Sequence, residues 1–399
     1  MEGICLTLLV IIHLILERVC TFFIKLFCPV DGSVVVYHSI PDFSDNARAL
    51  AEYMESNGYT KKFRIFFIVE NEKLYSSRNG EIVFITCKAK YGKYKLSCLR
   101  RLYTAKYLMS THSMIIKRND AQKEQVLVRL WHGCSFKDRS RQDGIKLRSF
   151  DAALVPGDFF IKTKAYFWNV DEKYILPTGY PRYDWLRMKD ETAQKLINSY
   201  KYDQNTIILL WMPTFRIDKR GRCTESNNIT QFPMIDSIEK WKVIDRLCSE
   251  RNIVMIVKLH PFQTDYDIPF ELFSNIKLIT NQILDEADVP LYKFVALTDA
   301  LLTDYSSIAI DYLLVNRPIA FTLDDYEEYK KTRGFLVDDP REYMPGHHLY
   351  AFDDLRMFLI DLAEGKDMFK EQRERVRDKL IVSSDSYCKG ILDRFCIMK

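Results

Sequence analysis

Short runs of β-branched and large apolar residues recur along this chain at helix-length intervals, and that rhythm limits the fold more than any single residue does. Residues 34–37, 63–69, 82–85, 107–110, 126–131 and 152–155 make a first series; residues 207–211, 253–259, 276–279, 300–303 and 319–322 make a second. Runs this short, with no polar alternation, belong to strands covered on both faces. A polar or amphipathic stretch long enough for a crossover helix separates most of them, so neighbouring strands are expected to be parallel. The fold class that follows is α/β, two Rossmann-like domains facing a cleft, with ligands held beyond the carboxyl ends of the strands. At 399 residues each half has enough chain for its own core. The expected division is residues 1–29 as a membrane-associating helix, 30–195 and 196–368 as the two domains, and 369–399 as a basic helical segment returning to the first domain.

The start of the chain is its most apolar part. Residues 3–16, GICLTLLVIIHLIL, are uncharged, then Glu17 and Arg18 interrupt before VCTFFIKLFCPV resumes. The uncharged run is shorter than the roughly 20 residues of a spanning helix, and no small-residue cleavage site follows it. Three placements of a helix over residues 4–27 stand. It could lie in a membrane interface with Arg18 and Lys25 at the head groups, span with those charges on the cytoplasmic side, or pack against its own domain. Elsewhere 47% hydrophobic and 28% charged residues suggest neither disorder nor several membrane spans. A formal charge of +4 suits phosphate-bearing partners or an anionic membrane surface and is too small to argue nucleic-acid binding. Ten cysteines with no C-x-x-C pair point to a reducing cytosol, without disulfides or structural zinc. The Lys- and Arg-rich residues 88–106 read either as a solvated helix face or as a surface turned to a polyanion.

The chemistry-bearing residues gather at the ends of the apolar runs. In ALLTDYSSIAIDYLLV, residues 300–315, a strand passes through a tight turn into a helix start. The backbone N–H groups of Ser306, Ser307 and Ile308 would point at an anion above the strand end, phosphate being the natural occupant. The plainer alternative is that Asp304 or Ser306 only caps the helix. Asp304 repels phosphate; it could orient a histidine or the serine hydroxyls, or hold a ribose, while Ser306 and Ser307 supply hydrogen bonds. Asp311, about two turns on, caps or braces the site and is counted with the donor-binding residues.

His132 follows the run 126–131 directly and Gly133 lets the backbone turn, which faces the imidazole to the cleft with a pKa suited to taking a proton from a hydroxyl. A purely structural histidine is the alternative. His260 ends the run 253–259 in the same half as DYSS, so both can reach one diphosphate; the alternative is a satisfied histidine in the turn made by Pro261. Lys258 shares its strand face and adds charge, or is solvated. Thr214 and Arg216 close the run 207–211 at the cleft, Arg216 within reach of a phosphate, and the polar residues 217–231 are expected to loop over it. The sequence offers no convincing D-x-D metal pair, so Mg2+ is compatible with a diphosphate ligand but not implied, and no cofactor is required.

Five motifs occur in order: RLWHGCSFKD (129–138), TGYPRYDWL (178–186), LLWMPTFR (209–216), IVKLHPF (256–262) and DYSSIAIDY (304–312), followed by RPIAF, EEY and RGF. Together they make the chain resemble the CDP-glycerol glycerophosphotransferase family, the teichoic-acid primases and polymerases of Gram-positive walls, over roughly residues 34–339. The resemblance agrees with a B-type glycosyltransferase architecture. It implies transfer of glycerol phosphate or ribitol phosphate from a CDP-polyol donor to a hydroxyl of a lipid-linked saccharide or polyol-phosphate acceptor, releasing CMP, at the cytoplasmic face of the bacterial membrane. It further implies that His132 is the general base, that His260 works on the donor phosphates, and that Arg333 and Gly334 belong to a motif closing over the donor. The chain departs from the family pattern at Cys134 and Ser135, where Thr-Pro is commoner, which bears on the acceptor-side loop. Two other classes remain: a nucleotide-sugar glycosyltransferase of the same architecture, which would attack carbon and release a nucleoside diphosphate, and a non-catalytic membrane-bound binding protein. Both histidines and the DYSS turn speak against the latter. Glycerol versus ribitol, and one unit added versus many, are not separated by sequence.

Overall fold

The computed structural model describes residues 2–90, 93–138, 149–214, 232–259 and 268–399. Its first half contains β1 (Asp31–His38), β2 (Arg64–Ile68), β3 (Val83–Ile85), β4 (Ala105–Ser110), β5 (Val126–Arg129), β6 (Ala152–Leu154) and β7 (Ile175–Leu176). These form one sheet in the order β3-β2-β1-β4-β5-β6-β7. The second half contains β8 (Ile207–Trp211), β9 (Ile253–Val257), β10 (Ile276–Leu278), β11 (Ala300–Thr303), β12 (Ile319–Thr322) and β13 (His347–Leu349), ordered β10-β9-β8-β11-β12-β13. Every pairing is parallel. The expected α/β fold with two parallel sheets is therefore what the chain adopts.

The central strands are buried along their length, as with Val35–Tyr37 and Ile253–Val257, because helices cover both sheet faces. One continuous apolar cluster joins side chains of β1 to side chains of β11, so the halves share a core at the base of the cleft. Polar contacts fix them as well. Arg48, on the helix Asp45–Ser56 that follows β1, reaches Asp288 of the second half at 2.6 Å. Lys137 and Phe335 form an antiparallel bridge flanked by the bonds from Asp138 N–H to Gly334 C=O (3.1 Å) and from Leu336 N–H to Phe136 C=O (2.7 Å). Near the C-terminus, the carboxylate of Asp184 accepts from the Ser386 hydroxyl and from the N–H groups of Tyr387 and Cys388. It thereby caps the helix Tyr387–Arg394 and seats it on the first half.

Several boundaries differ from the sequence expectation. The strand expected over residues 126–131 stops at Arg129, since Trp131 takes a left-handed backbone (φ +59°) that a strand ladder does not admit. The strand expected over 253–259 stops at Val257. β7 and β13 escape the pattern because they are edge strands of two and three residues, the latter reading HHL. The polar residues 217–231, expected to loop over the cleft, lie outside the described residues.

Candidate active site

A cleft of about 260 Å³ opens where the carboxyl ends of the two sheets face each other. One wall is the loop leaving β1 (Pro41, Phe43, Asp45) together with His132 and Arg182; the other is Thr214 after β8, Lys258 after β9 and Ser306 after β11. Sequence reasoning found most of the second wall and missed the β1 loop, whose Phe43 (φ +41°) and Asp45 (φ +56°) are shaped by backbone geometry that leaves no periodic signal.

His132 is placed from several sides. Trp131 turns the chain out of β5, and Gly133 follows at φ +138°, a conformation a side chain would strain. The Asn46 amide donates to the Trp131 carbonyl at 2.7 Å, and Arg182 Nη1 donates to the His132 carbonyl at 3.1 Å. The ring's Nδ1 lies 3.3 Å from the Thr111 carbonyl. A carbonyl only accepts, so this contact puts the proton of the neutral ring on Nδ1. The ring stacks on His112, centroids 4.1 Å apart and 10° from parallel. Burial holds the His112 pKa down; Asp45 opposes this, while Arg129 and Arg182 add to it. Burial, with His112 beside it, brings His38 down to about 4. His38, His112 and His132 thus end or follow β1, β4 and β5, neighbours in the sheet, with two of the three held neutral. Sequence reasoning singled out only His132. The signal for the others was the same, a histidine closing an apolar run, but their adjacency depends on a strand order that the sequence does not display.

In the second half, Asp304 is fully buried and its Oδ2 accepts from the Thr214 N–H (2.8 Å) and the Thr214 hydroxyl. That ties the end of β11 to the end of β8. Ser306 lines the cleft, whereas Ser307 faces Gly133, where any side chain would collide with its hydroxyl. The first half's W-H-G turn and the second half's D-Y-S-S turn are therefore in contact. The helix after them runs only from Ile308 to Tyr312, so the helix-end charge expected at Ser306–Ser307 is weaker than a long helix would give.

Asp311 does not reach the donor-binding wall assigned to it from sequence. Arg182 Nη2 (2.6 Å), Tyr183 OH (2.6 Å) and Tyr292 OH (2.6 Å) all donate to its carboxylate, which is completely buried. Burial penalises the Arg182 guanidinium, yet Asp311 and Asp45 keep its pKa well above the ordinary value. The pair acts as a clasp between the halves. Arg333 and Gly334, expected to close over the donor, sit where the second half meets residues 136–138, Gly334 at φ +76°. Neither is among the described residues that line the 260 Å³ cleft.

Lys258 does line the cleft and is 4% exposed; its ammonium donates to the Leu259 carbonyl at 3.2 Å. Burial brings its pKa down to about 8, with Asp285 opposing. His260 and Arg216 lie outside the described residues. Among the described residues no group of three His, Cys, Asp or Glu side chains converges as a metal site.

Comparison with known proteins agrees with this geometry. Residues 20–388 match the model of the CDP-glycerol:poly(glycerophosphate) glycerophosphotransferase family. The chain is 25% identical over 337 residues to the teichoic acid ribitol-phosphate primase of Bacillus spizizenii, covering 79% of this chain and 78% of that one. It is 23% identical over 377 residues to the teichoic acid glycerol-phosphate primase of the same organism, covering 88% and 91%. Among solved structures, a variant of the wall teichoic acid polymerase TagF superposes with a TM-score of 0.74 at 16% identity, covering 99% of this chain and 97% of that one. Another TagF variant, soaked with CDPG, gives a TM-score of 0.70 at 18% identity with 99% and 98% coverage.

Proposed function

Because this chain belongs to the CDP-glycerol:poly(glycerophosphate) glycerophosphotransferase family, we propose that it transfers a polyol phosphate, glycerol phosphate or ribitol phosphate, from a CDP-activated donor to an acceptor hydroxyl and releases CMP. The acceptor is a lipid-linked teichoic-acid-type or capsular saccharide, or the growing polyol phosphate on it, met at the cytoplasmic face of the membrane. The observation that carries the chemistry is the place of His132 on the cleft wall, facing Lys258 and Ser306 across it, with its Nδ1 at the Thr111 carbonyl.

In the reaction the acceptor oxygen attacks the phosphorus that bears the polyol. A new P–O bond forms, the bond from that phosphorus to the oxygen of CMP breaks, and the acceptor proton passes to His132 Nε2. Lys258 and Ser306, on the opposite wall, meet the charge on the donor phosphates. Thr214 holds Asp304, and through it the end of β11, in place for that contact. His260 and Arg216, outside the described residues, keep the donor-side roles that the resemblance implies.

The test is release of nucleotide from CDP-glycerol and CDP-ribitol in the presence of a lipid-linked disaccharide, with products weighed by mass spectrometry. CMP as product, lost by about 10²-fold or more in His132→Gln, is expected. CDP as the released nucleotide would point to attack on carbon and a glycosyltransferase, and full activity in His132→Gln would remove this histidine from the mechanism.

A further inference from the structure

The residue that follows β4, Thr111, serves two imidazoles at once. Its carbonyl stands 3.3 Å from His132 Nδ1, and its hydroxyl 3.0 Å from His112 Nδ1. Thr111 cannot shift to suit either ring. It is fully buried, its N–H donates to the His38 carbonyl at 3.1 Å, and the Leu130 N–H donates to the carbonyl of Ser110 before it at 2.8 Å. The end of β4 is thus pinned between β1 and β5. From that fixed point the rings of His112 and His132 stack, centroids 4.1 Å apart and planes 10° from parallel. The Trp131 ring also meets the His132 ring, centroids 4.1 Å apart at 37°. An imidazole at a strand end ordinarily has several rotamers open to it. One held at Nδ1 and stacked face to face leaves its position only by losing both contacts.

We infer that His112 is a positioning residue for the base: stacked on His132 and tied to the same threonine, it fixes the plane of the His132 ring and stabilises the imidazolium that forms when the acceptor proton arrives. This rests on the reading of His132 as the general base and names the residue that prepares it. Two parallel imidazolium ions at that separation repel, so only one ring of the stack carries a proton at a time. His112 is the ring kept neutral. Burial lowers its pKa, the Arg129 and Arg182 guanidiniums lower it further, and Asp45 opposes them. His38, which closes the neighbouring strand, is brought down to about 4 by burial and adds no charge at neutral pH. Arg182 donates to the His132 carbonyl, and Lys258 and Ser306 stand on the far wall of the cleft. The face of a neutral aromatic ring attracts a cation above it, more so where water is partly excluded. That attraction grows only as His132 takes up charge, so it favours the transition state over the bound ground state.

Two substitutions separate the stack from the hydrogen bond. His112→Phe keeps an aromatic ring against His132 and loses the bond to Thr111; His112→Asn keeps a polar atom at the Nδ1 position and loses the ring. The proton affinity of His132 is read by NMR titration of full-length protein carrying histidine labelled with carbon-13 at Cε1. Seven histidines give seven signals, and His132→Gln identifies the one that matters. In His112→Asn the affinity should fall by about threefold, moving the His132 midpoint to lower pH, while in His112→Phe it should stay at the parental value. CMP release from CDP-glycerol should follow. A drop of about tenfold in kcat is expected in His112→Asn, with the acid limb of its pH profile displaced the same way, near-parental kcat in His112→Phe, and KM for the donor unchanged in both. An unmoved His132 midpoint in His112→Asn would overturn the proposal even if that variant were slower or less stable, because loosened packing alone leaves the proton affinity where it was. A midpoint displaced equally in both variants would overturn the role of the stack. If His112→Asn does not fold, His112→Leu, of similar bulk and without an aromatic face, takes its place with the same expected outcomes. The titration needs no turnover, so failure of the proposed chemistry leaves this test intact.

Discussion

A proton should be taken up when an anionic donor enters the cleft, and Lys258 is the group that takes it. Its side chain is 4% exposed, and burial brings its pKa from 10.5 down to about 8. The shift corresponds to about 3 kcal/mol against the charged form. For a base with a lowered folded pKa, the folded chain binds fewer protons than the unfolded one between about 8 and 10.5, so stability rises with pH across that window. Below pH 8 the whole cost of burying the ammonium is carried. Lys258→Met should accordingly be more stable than the parent at pH 7, by up to about 3 kcal/mol less what the contacts to Leu259 and Asp285 return, and the advantage should vanish as pH passes through that window. A donor diphosphate beside the amine raises its pKa again. At pH 8, where half the lysines are neutral, binding should take up about half a proton. Titration calorimetry with CDP-glycerol in two buffers of different ionisation enthalpy measures this directly. A binding heat independent of buffer at pH 8, or a buffer dependence that survives in Lys258→Met, would refute the placement of Lys258 on the donor.

Other perturbations probe the frame of the cleft. Asp311→Asn leaves the buried Arg182 guanidinium short of its inter-half partner and should lower stability by about 3–5 kcal/mol in urea unfolding; a change under 1 kcal/mol would show that the clasp is not needed. Gly133→Ala faces both the strained backbone (φ +138°) and the Ser307 hydroxyl, so CMP release should drop at least tenfold, and Gly133→Ala with Ser307→Gly should recover part of it only if the collision matters. Thr214→Val removes the hydroxyl bonded to buried Asp304 and should cost about 1–3 kcal/mol, whereas Thr214→Ser should be close to neutral.

Much of the fold was legible because a strand buried on both faces must be apolar throughout, and residues such as Ile253–Val257 have no other use. Strand ends were less so: Trp131 looks like a continuation of β5 by side chain and leaves it only by its left-handed backbone. The long apolar N-terminal helix was equally visible, yet what positions it are two polar residues, His13 and Glu17, bonded to a loop 76–81 residues away. No local pattern records a contact at that separation.

The stretch from Asp304 to Asp311 shows where sequence stops being able to assign a role. Both carboxylates lie in one motif, seven residues apart, beside serines suited to phosphate, and charge alone says only that neither binds it. Packing separates them. Asp304 turns inward to the end of β8 and holds Thr214; Asp311, after less than two turns of a short helix, turns to the other half and receives Arg182, Tyr183 and Tyr292. Arg182 in turn bonds the His132 carbonyl, so the carboxylate assigned to the donor instead fixes the backbone of the candidate base. A recurring motif of this kind specifies the closure of two halves as much as contact with a ligand. The two demands coincide because a cleft that spans two sheets can position a phosphorus between a base on one and cations on the other only if the sheets are held in register.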